Sequence, residues 1–268
     1  MATLVCFHAH PDDEALTTGG VMAQAAAAGH RVVLVVATGG ELGEVPDDLA
    51  PGETLVERRR AETLHSAEIL GVARVEWLGY EDSGMAKWEP NDNPAAFVRA
   101  DVDEAAGRLA RILRAEDAAV LTVYDRHGNY GHPDHVQVHV VGHRAGELAG
   151  TPNVYEATMN TDDFVRVTKA ARSAGIDFGP SEDDDPAAWT DDGLPVGTPE
   201  AQLTTAVDVM AFVAVKRAAL ACHRSQVTDI QGLLGMPDEY FARSFGTEWF
   251  IHTGTPPGIR EHVLAELG

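Results

Sequence analysis

Apolar positions along the chain fall into short continuous runs separated by longer stretches with a helical period. Residues 3–9 (TLVCFHA) are the first run, ended by Pro11, and predict a buried strand. Residues 12–28, acidic at the start and rich in alanine, predict a helix that Gly29 and His30 break. Residues 31–37 (RVVLVVA) are apolar throughout, as parallel strands buried on both faces are. Residues 54–70 predict a charged amphipathic helix with Gly71 behind it. Residues 74–78 predict a third strand, 95–114 a helix opened by Pro94, and 118–124 (AAVLTVY) a fourth strand. Residues 132–148 predict a helix, 154–159 a fifth strand, 207–225 a helix and 249–253 a last short strand.

Strands that alternate with helices predict an α/β fold whose mostly parallel sheet has helices on both faces. Ligands of such sheets bind beyond the carboxyl ends of the strands. His10, Gly39, Asp82 and Asp125 each follow a predicted strand and are expected at that edge. Residues 1–268 are expected to form a single domain with a C-terminal elaboration from about 160 that caps the strand ends. Residues 181–200, acidic and rich in Pro and Gly, predict a long loop.

Composition narrows the function. Apolar residues make up 44% of the chain, enough for a sizeable core, and the formal net charge is −22. Phosphate backbones and anionic membranes repel such a chain, so neither nucleic acid nor a membrane is an expected partner. Two cysteines do not make a disulfide framework, and Cys6 lies in an apolar run as a buried thiol would. With neither a basic leader nor an apolar stretch of spanning length in view, a cytoplasmic protein is expected. A homo-oligomer is compatible with all of this.

Chemistry concentrates in two segments. One is His8-Ala9-His10-Pro11-Asp12-Asp13-Glu14. The other runs from His127 through Gly131-His132-Pro133-Asp134-His135 to His143 and holds five of the twelve histidines. Imidazole with carboxylate is the donor set of a borderline cation such as Zn²⁺, and a catalytic site needs three protein ligands and one open position. His10 and Asp13, three apart at a helix mouth, can face one ion, and the second segment can supply a third ligand. Asp12 is then free to accept a proton from an activated water. Taken singly, each residue has a plainer explanation. An Asp pair at a helix start serves as a cap, and His8 fits a hydrogen-bonded core histidine. His139 and His143 fit one helix face or partners that orient a ligand. Asp134 fits either a cap or a residue orienting His135, and Trp249-Phe250 fits the core. Thr38-Gly39-Gly40-Glu41 is glycine-rich but lacks the pattern of a dinucleotide loop.

In these two motifs the chain resembles the LmbE-like, or PIG-L, family of zinc-dependent N-deacetylases. Its A-H-P-D-D-E motif stands at Ala9–Glu14 and its G-H-P-D-H motif at Gly131–His135. The resemblance implies a Rossmann-like fold and Zn²⁺ as cofactor, with Fe²⁺ as the other candidate. It implies His10, Asp13 and His135 as ligands, Asp12 as general base and later acid, and His132 assisted by Tyr130 at the oxyanion. The substrate implied is a small N-acyl amino sugar. Residues Gly43-Glu44-Val45, Asp82–Met85, Lys216–Leu220, His223 and Gln226 resemble the branch acting on the GlcNAc-inositol precursor of mycothiol and on mycothiol conjugates. By that likeness Arg59, Asp82 and Glu44 hold the substrate, and Thr17, where the amidases carry Lys, points to a deacetylase. The alternatives are an amidase of mycothiol S-conjugates, a deacetylase of a glycosylated natural product, and a non-catalytic sugar-binding module.

Overall fold

The structure, a computed structural model, describes residues 1–173, 175 and 196–268. The acidic stretch predicted as a loop lies outside the described residues up to 195. Strand β1 (Thr3–His8) leads into helices α1 (Asp13–Thr17) and α2 (Gly19–Ala27), followed by β2 (Arg31–Thr38), α3 (Leu55–Ile69) and β3 (Arg74–Tyr80). Then come α4 (Val102–Ala115), β4 (Ala118–Tyr124), the single turn α5 (Gly128–Gly131), α6 (Pro133–Ala149), β5 (Asn153–Thr158) and α7 (Thr161–Ser173). The C-terminal part supplies β6 (Thr205–Asp208), α8 (Val213–Leu220), α9 (Val227–Leu234), α10 (Asp238–Phe245) and β7 (Thr247–His252). No helix among the described residues is long and apolar enough to cross a membrane.

The seven strands form one sheet in the order β3-β2-β1-β4-β5-β7-β6. The first five pair in parallel and the last two antiparallel. The order reverses between β1 and β4, and the crevice of a Rossmann-like sheet opens at such a reversal. Side chains alternate along each strand. Leu4 and Cys6 of β1, with Val32 and Leu34 of β2, pack with α2 and α8 on one face. Val5 and Phe7, with Val33 and Val35, pack with α4 and α6 on the other. The continuous apolar runs are thus explained by burial on both faces.

Three predicted elements differ. The helix expected over 12–28 is two helices, because Thr18 leaves helical geometry and a carboxylate from elsewhere starts the second one. Gly20 N and Val21 N donate to Glu248 of β7 at 2.7 and 2.9 Å, and Lys216 Nζ donates to the same carboxylate at 2.7 Å. That ion pair is buried and its carboxylate caps a helix N-terminus. The helix expected over 95–114 begins only at Val102, where the Asp101 side chain caps it, and a short 3₁₀ turn precedes it. The helix expected over 207–225 is preceded by β6, whose partner β7 follows 39 residues further on, a pairing that local periodicity cannot reveal. Phe250 is in the core as expected, while its neighbour Trp249 faces the cavity described below.

Helix α6 lies close on the sheet because Gly142 has no side chain; a Cβ there would come within 2.2 Å of Val123 Cγ1. Alanine in mid-helix normally gains ~1 kcal/mol over glycine, but overpacking a branched core residue costs ~1–3 kcal/mol. Gly142→Ala is therefore expected to lower stability in urea denaturation, and a rise would show that α6 has room to move outward.

Candidate active site

The carboxyl ends of β1 and β4 bring the two His-Pro-Asp segments together. His10 follows β1 and is 7% exposed. Three carboxylates surround it. Its Nδ1 is 3.5 Å from Asp13 Oδ2, and its Nε2 is 3.2 Å from Asp134 Oδ2 and 3.5 Å from Asp82 Oδ1. Asp134 also accepts from Ser83 N at 2.9 Å and from the Ser83 hydroxyl, so its oxygens are fixed. A proton on Nε2 toward Asp134 leaves Nδ1 of His10 as a lone-pair donor. Asp134, for which the sequence left a cap and a partner of His135 as alternatives, therefore orients His10, in the carboxylate–histidine arrangement that surrounds bound metals.

His135, on the first turn of α6, is 1% exposed and neither ring nitrogen has a hydrogen-bond partner. Its Nε2 is 3.4 Å from Asp13 Oδ2, and its ring stacks on Tyr124 with centroids 4.4 Å apart. A buried imidazole with both nitrogens unpaired is costly, and three carboxylates around one imidazole call for a cation. Ligand atoms ~2.0–2.1 Å from a tetrahedral ion are ~3.3–3.4 Å apart, close to the 3.4 and 3.5 Å spacings of Asp13 to His135 and His10. The residues fit a divalent metal. His132 also brings a ring nitrogen within 4.8 Å of those of His10 and His135, so a third imidazole borders the place an ion would take. The other nitrogen of His132, Nδ1, accepts from Asp134 N at 3.1 Å, which puts the proton of the neutral ring on Nε2. Burial and the neighbouring His10 and His135 push the His132 imidazole down to about 2, so it stays neutral.

Asp12 stands beside this cluster in a backbone conformation that disfavours side chains, at φ 94°. Such strain persists only where surrounding contacts over-determine it. Here Asp12 N donates to Glu14 Oε2 at 3.0 Å, and Arg59 Nη2 donates to Asp12 Oδ2 at 3.0 Å and to Pro11 O at 2.6 Å. Glu14 is fully buried and bonded in turn to His223 Nε2 at 2.7 Å and Ser66 Oγ at 2.5 Å. Burial pushes the Asp12 carboxyl up to about 6, against the pull of Arg59. Asn129, in the second motif's segment, is also strained, at φ 64°. Its backbone and side chain are tied to Asp125, Met159 and Gly197, and it holds Tyr130 with its ring edge-on to His135, centroids 4.9 Å apart.

The remaining sequence candidates divide. Asp82 lines the cavity, and despite its burial the bond to His10 keeps it well below the carboxylate range. Arg59 also lines the cavity but is committed to Asp12, Pro11 and Gly40. Glu44 is not among the lining residues; its carboxylate accepts from Thr228 N at 2.8 Å. His8 is a core histidine bonded to Tyr124 and Thr18, both at 2.8 Å. Glu14, His223 and Lys216 were not singled out as site residues. A buried charge whose partner is 209 or 32 residues away leaves no local pattern. The cavity, about 680 Å³, has His10, Asp12, Asp13, His132 and His135 at its polar end. Leu42, Met85, Trp88, Phe164, Phe245 and Trp249 form apolar walls.

Comparison with known proteins agrees with this geometry. Residues 5–145 match the family described as PIG-L, GlcNAc-PI de-N-acetylase. A Catenulispora acidiphila protein named 1D-myo-inositol 2-acetamido-2-deoxy-alpha-D-glucopyranoside deacetylase 1 is 36% identical over 298 residues, covering 99% of this chain and 89% of its own. A Nocardiopsis dassonvillei deacetylase named for the same compound is 41% identical over 241 residues, covering 82% of this chain and 83% of its own. Among solved structures, the N,N'-diacetylchitobiose deacetylase from Pyrococcus horikoshii shares the fold. Its TM-score is 0.58 at 22% identity, over 94% of this chain and 83% of that one.

The Glu14–His223 pair behind Asp12 is fully buried on both sides. Removing one partner of such a pair costs ~3–5 kcal/mol. His223→Ala is expected to show a loss of that size in urea denaturation. A change within ~0.5 kcal/mol, as for a surface substitution, would mean that Glu14 is held without it.

Proposed function

The chain belongs to the PIG-L, or GlcNAc-PI de-N-acetylase, family, and from that membership we propose that it is a metal-dependent deacetylase releasing acetate from a GlcNAc-inositol glycoside. Removal of an N-acetyl group from a GlcNAc-type sugar follows from the family and from the names of relatives that match nearly the whole chain. We read residues 1–268 as one such domain. The observation that carries the site assignment is His135, buried with both nitrogens unpaired and 3.4 Å from Asp13. His10, Asp13 and His135 hold the ion, and Zn²⁺ suits that donor set, with Fe²⁺ the other candidate. When bound, the ion polarises the amide carbonyl and eases deprotonation of a water.

Asp12 takes the proton of the attacking water as the carbon–oxygen bond forms. The same proton then passes to the amine as the carbon–nitrogen bond breaks, giving acetate and the free amino sugar. Arg59 and the Glu14–His223 pair keep the Asp12 carboxylate aimed through this cycle. The Nε2–H of neutral His132 donates to the oxygen that gains charge, with Tyr130 beside it, and one such donor is worth ~2.7–4 kcal/mol. Asp82 is the carboxylate available to the sugar hydroxyls at the polar end. A second reading rests on the apolar walls around Trp88, Phe164 and Trp249, which suit a larger N-acyl conjugate better than inositol.

Asp12→Ala is expected to keep its metal, measured by elemental analysis, while turnover falls by ~10²–10⁴-fold. His135→Ala is expected to lose the metal. Full metal occupancy in His135→Ala would overturn the ligand set, and undiminished turnover in Asp12→Ala would overturn the base.

Amine release should depend on restored metal and favour GlcNAc-inositol over free GlcNAc. Release from a thiol conjugate alone would move the assignment to the amidase.

A further inference from the structure

One turn beyond His135, α6 presents two more imidazoles. His139 and His143 are four residues apart, which places them on the same helix face, and their ring centroids are 4.5 Å apart. Facing them is Glu156 of β5. Its Oε1 is 2.8 Å from His143 Nε2 and 3.8 Å from His139 Nδ1. One donor atom from each of the three residues lies within 4.8 Å of the others. The cluster shares no residue with the catalytic one. We propose that His139, His143 and Glu156 form a second, solvent-open site for a divalent ion of the Zn²⁺ class.

The placement of Glu156 argues for this. In the sheet its register partners are Val123 on β4 and Ile251 on β7. Val154, two residues away and so on the same face, approaches α6 at Gly146. A half-buried carboxylate flanked by apolar residues beneath a helix gains from partners, and a single ion pair with His143 would supply one. The third donor is what an ion pair does not require. His139 Nδ1, the nitrogen 3.8 Å from Glu156, donates to Tyr124 O at 3.0 Å, so an ion would take this imidazole through Nε2, with the backbone carbonyl fixing the tautomer as it does for histidines that bind metals. Two imidazoles and a carboxylate match the ligand chemistry of borderline divalent ions, with a fourth position left for water. Side-chain exposures of 22, 25 and 14% for His139, His143 and Glu156 leave the cluster open to solvent, unlike His135 at 2%. The ion there is expected to exchange readily. It would also tie β5 to α6, the helix from which His135 projects, so its occupancy should be felt as added thermal stability.

The test is a count of Zn²⁺ bound per chain, by equilibrium dialysis and elemental analysis, on the metal-loaded protein and its variants. Wild type is expected to hold two equivalents, the weaker one raising Tm. His139→Ala/His143→Ala and the near-isosteric Glu156→Gln are expected to hold one, lose that rise in Tm, and keep amine release with one equivalent bound. The Glu156→Gln variant guards against a folding defect in the double variant. Saturation of wild type at one equivalent overturns the proposal, as does a second equivalent that survives in both variants. Loss of the catalytic equivalent is read separately in His135→Ala, so failure of either site is distinguishable from failure of the other.

Discussion

His10 and Asp134 are 124 residues apart in the chain, and the 3.2 Å contact between His10 Nε2 and Asp134 Oδ2 joins the two halves of the site. Asp134 is fixed from the far side by Ser83, which follows β3, so one carboxylate gathers the ends of β1 and β3 at the start of α6. With His10 held by Nε2, its Nδ1 faces the same space as Asp13 and His135. The sheet order makes the contact possible: β1 and β4 are neighbours, and the segments after them meet where the order reverses. The chemistry at this point is a consequence of topology before it is a consequence of any single side chain.

The surroundings of Asp12 show how the fold supports an unfavourable local state. A non-glycine residue at positive φ costs ~1–3 kcal/mol, and here the cost is offset by a chain of buried contacts. Glu14 reaches back to Asp12 N, His223 and Ser66 hold Glu14, and Arg59 holds both the carboxylate and the preceding carbonyl. His223 comes from the region after α8, and Lys216 of α8 joins Glu248 at the N-terminus of α2. The C-terminal part is therefore the brace that holds the first motif in shape, as well as a cover over the strand ends.

Legibility in the sequence followed the range of the forces involved. The four N-terminal parallel strands and helices α3 and α6 were read nearly to the residue. Their signals are local: continuous apolar runs, a Thr54–Glu57 capping box, a proline at the first turn of α6. The clustering of His10, Asp13, His132 and His135 was legible because two copies of His-Pro-Asp each follow a strand. What escaped was non-local. The split of the first helix needed Glu248, and β6 needed β7. The roles of Asp134, Glu14 and Arg59 needed partners 51 to 209 residues away or a carbonyl on another loop. Glu44 illustrates the converse, since its likeness to a family position gave no hint that Thr228 N takes its carboxylate.

The strained conformation of Asp12 is also locked against its simplest relief. A glycine there would adopt φ 94° without steric conflict, but it would leave the buried Arg59 guanidinium without its carboxylate. Breaking such a pair costs ~3–5 kcal/mol, more than the ~1–3 kcal/mol of strain that glycine would remove. The contact that makes the conformation tolerable is thus the one that bars the residue that would relax it.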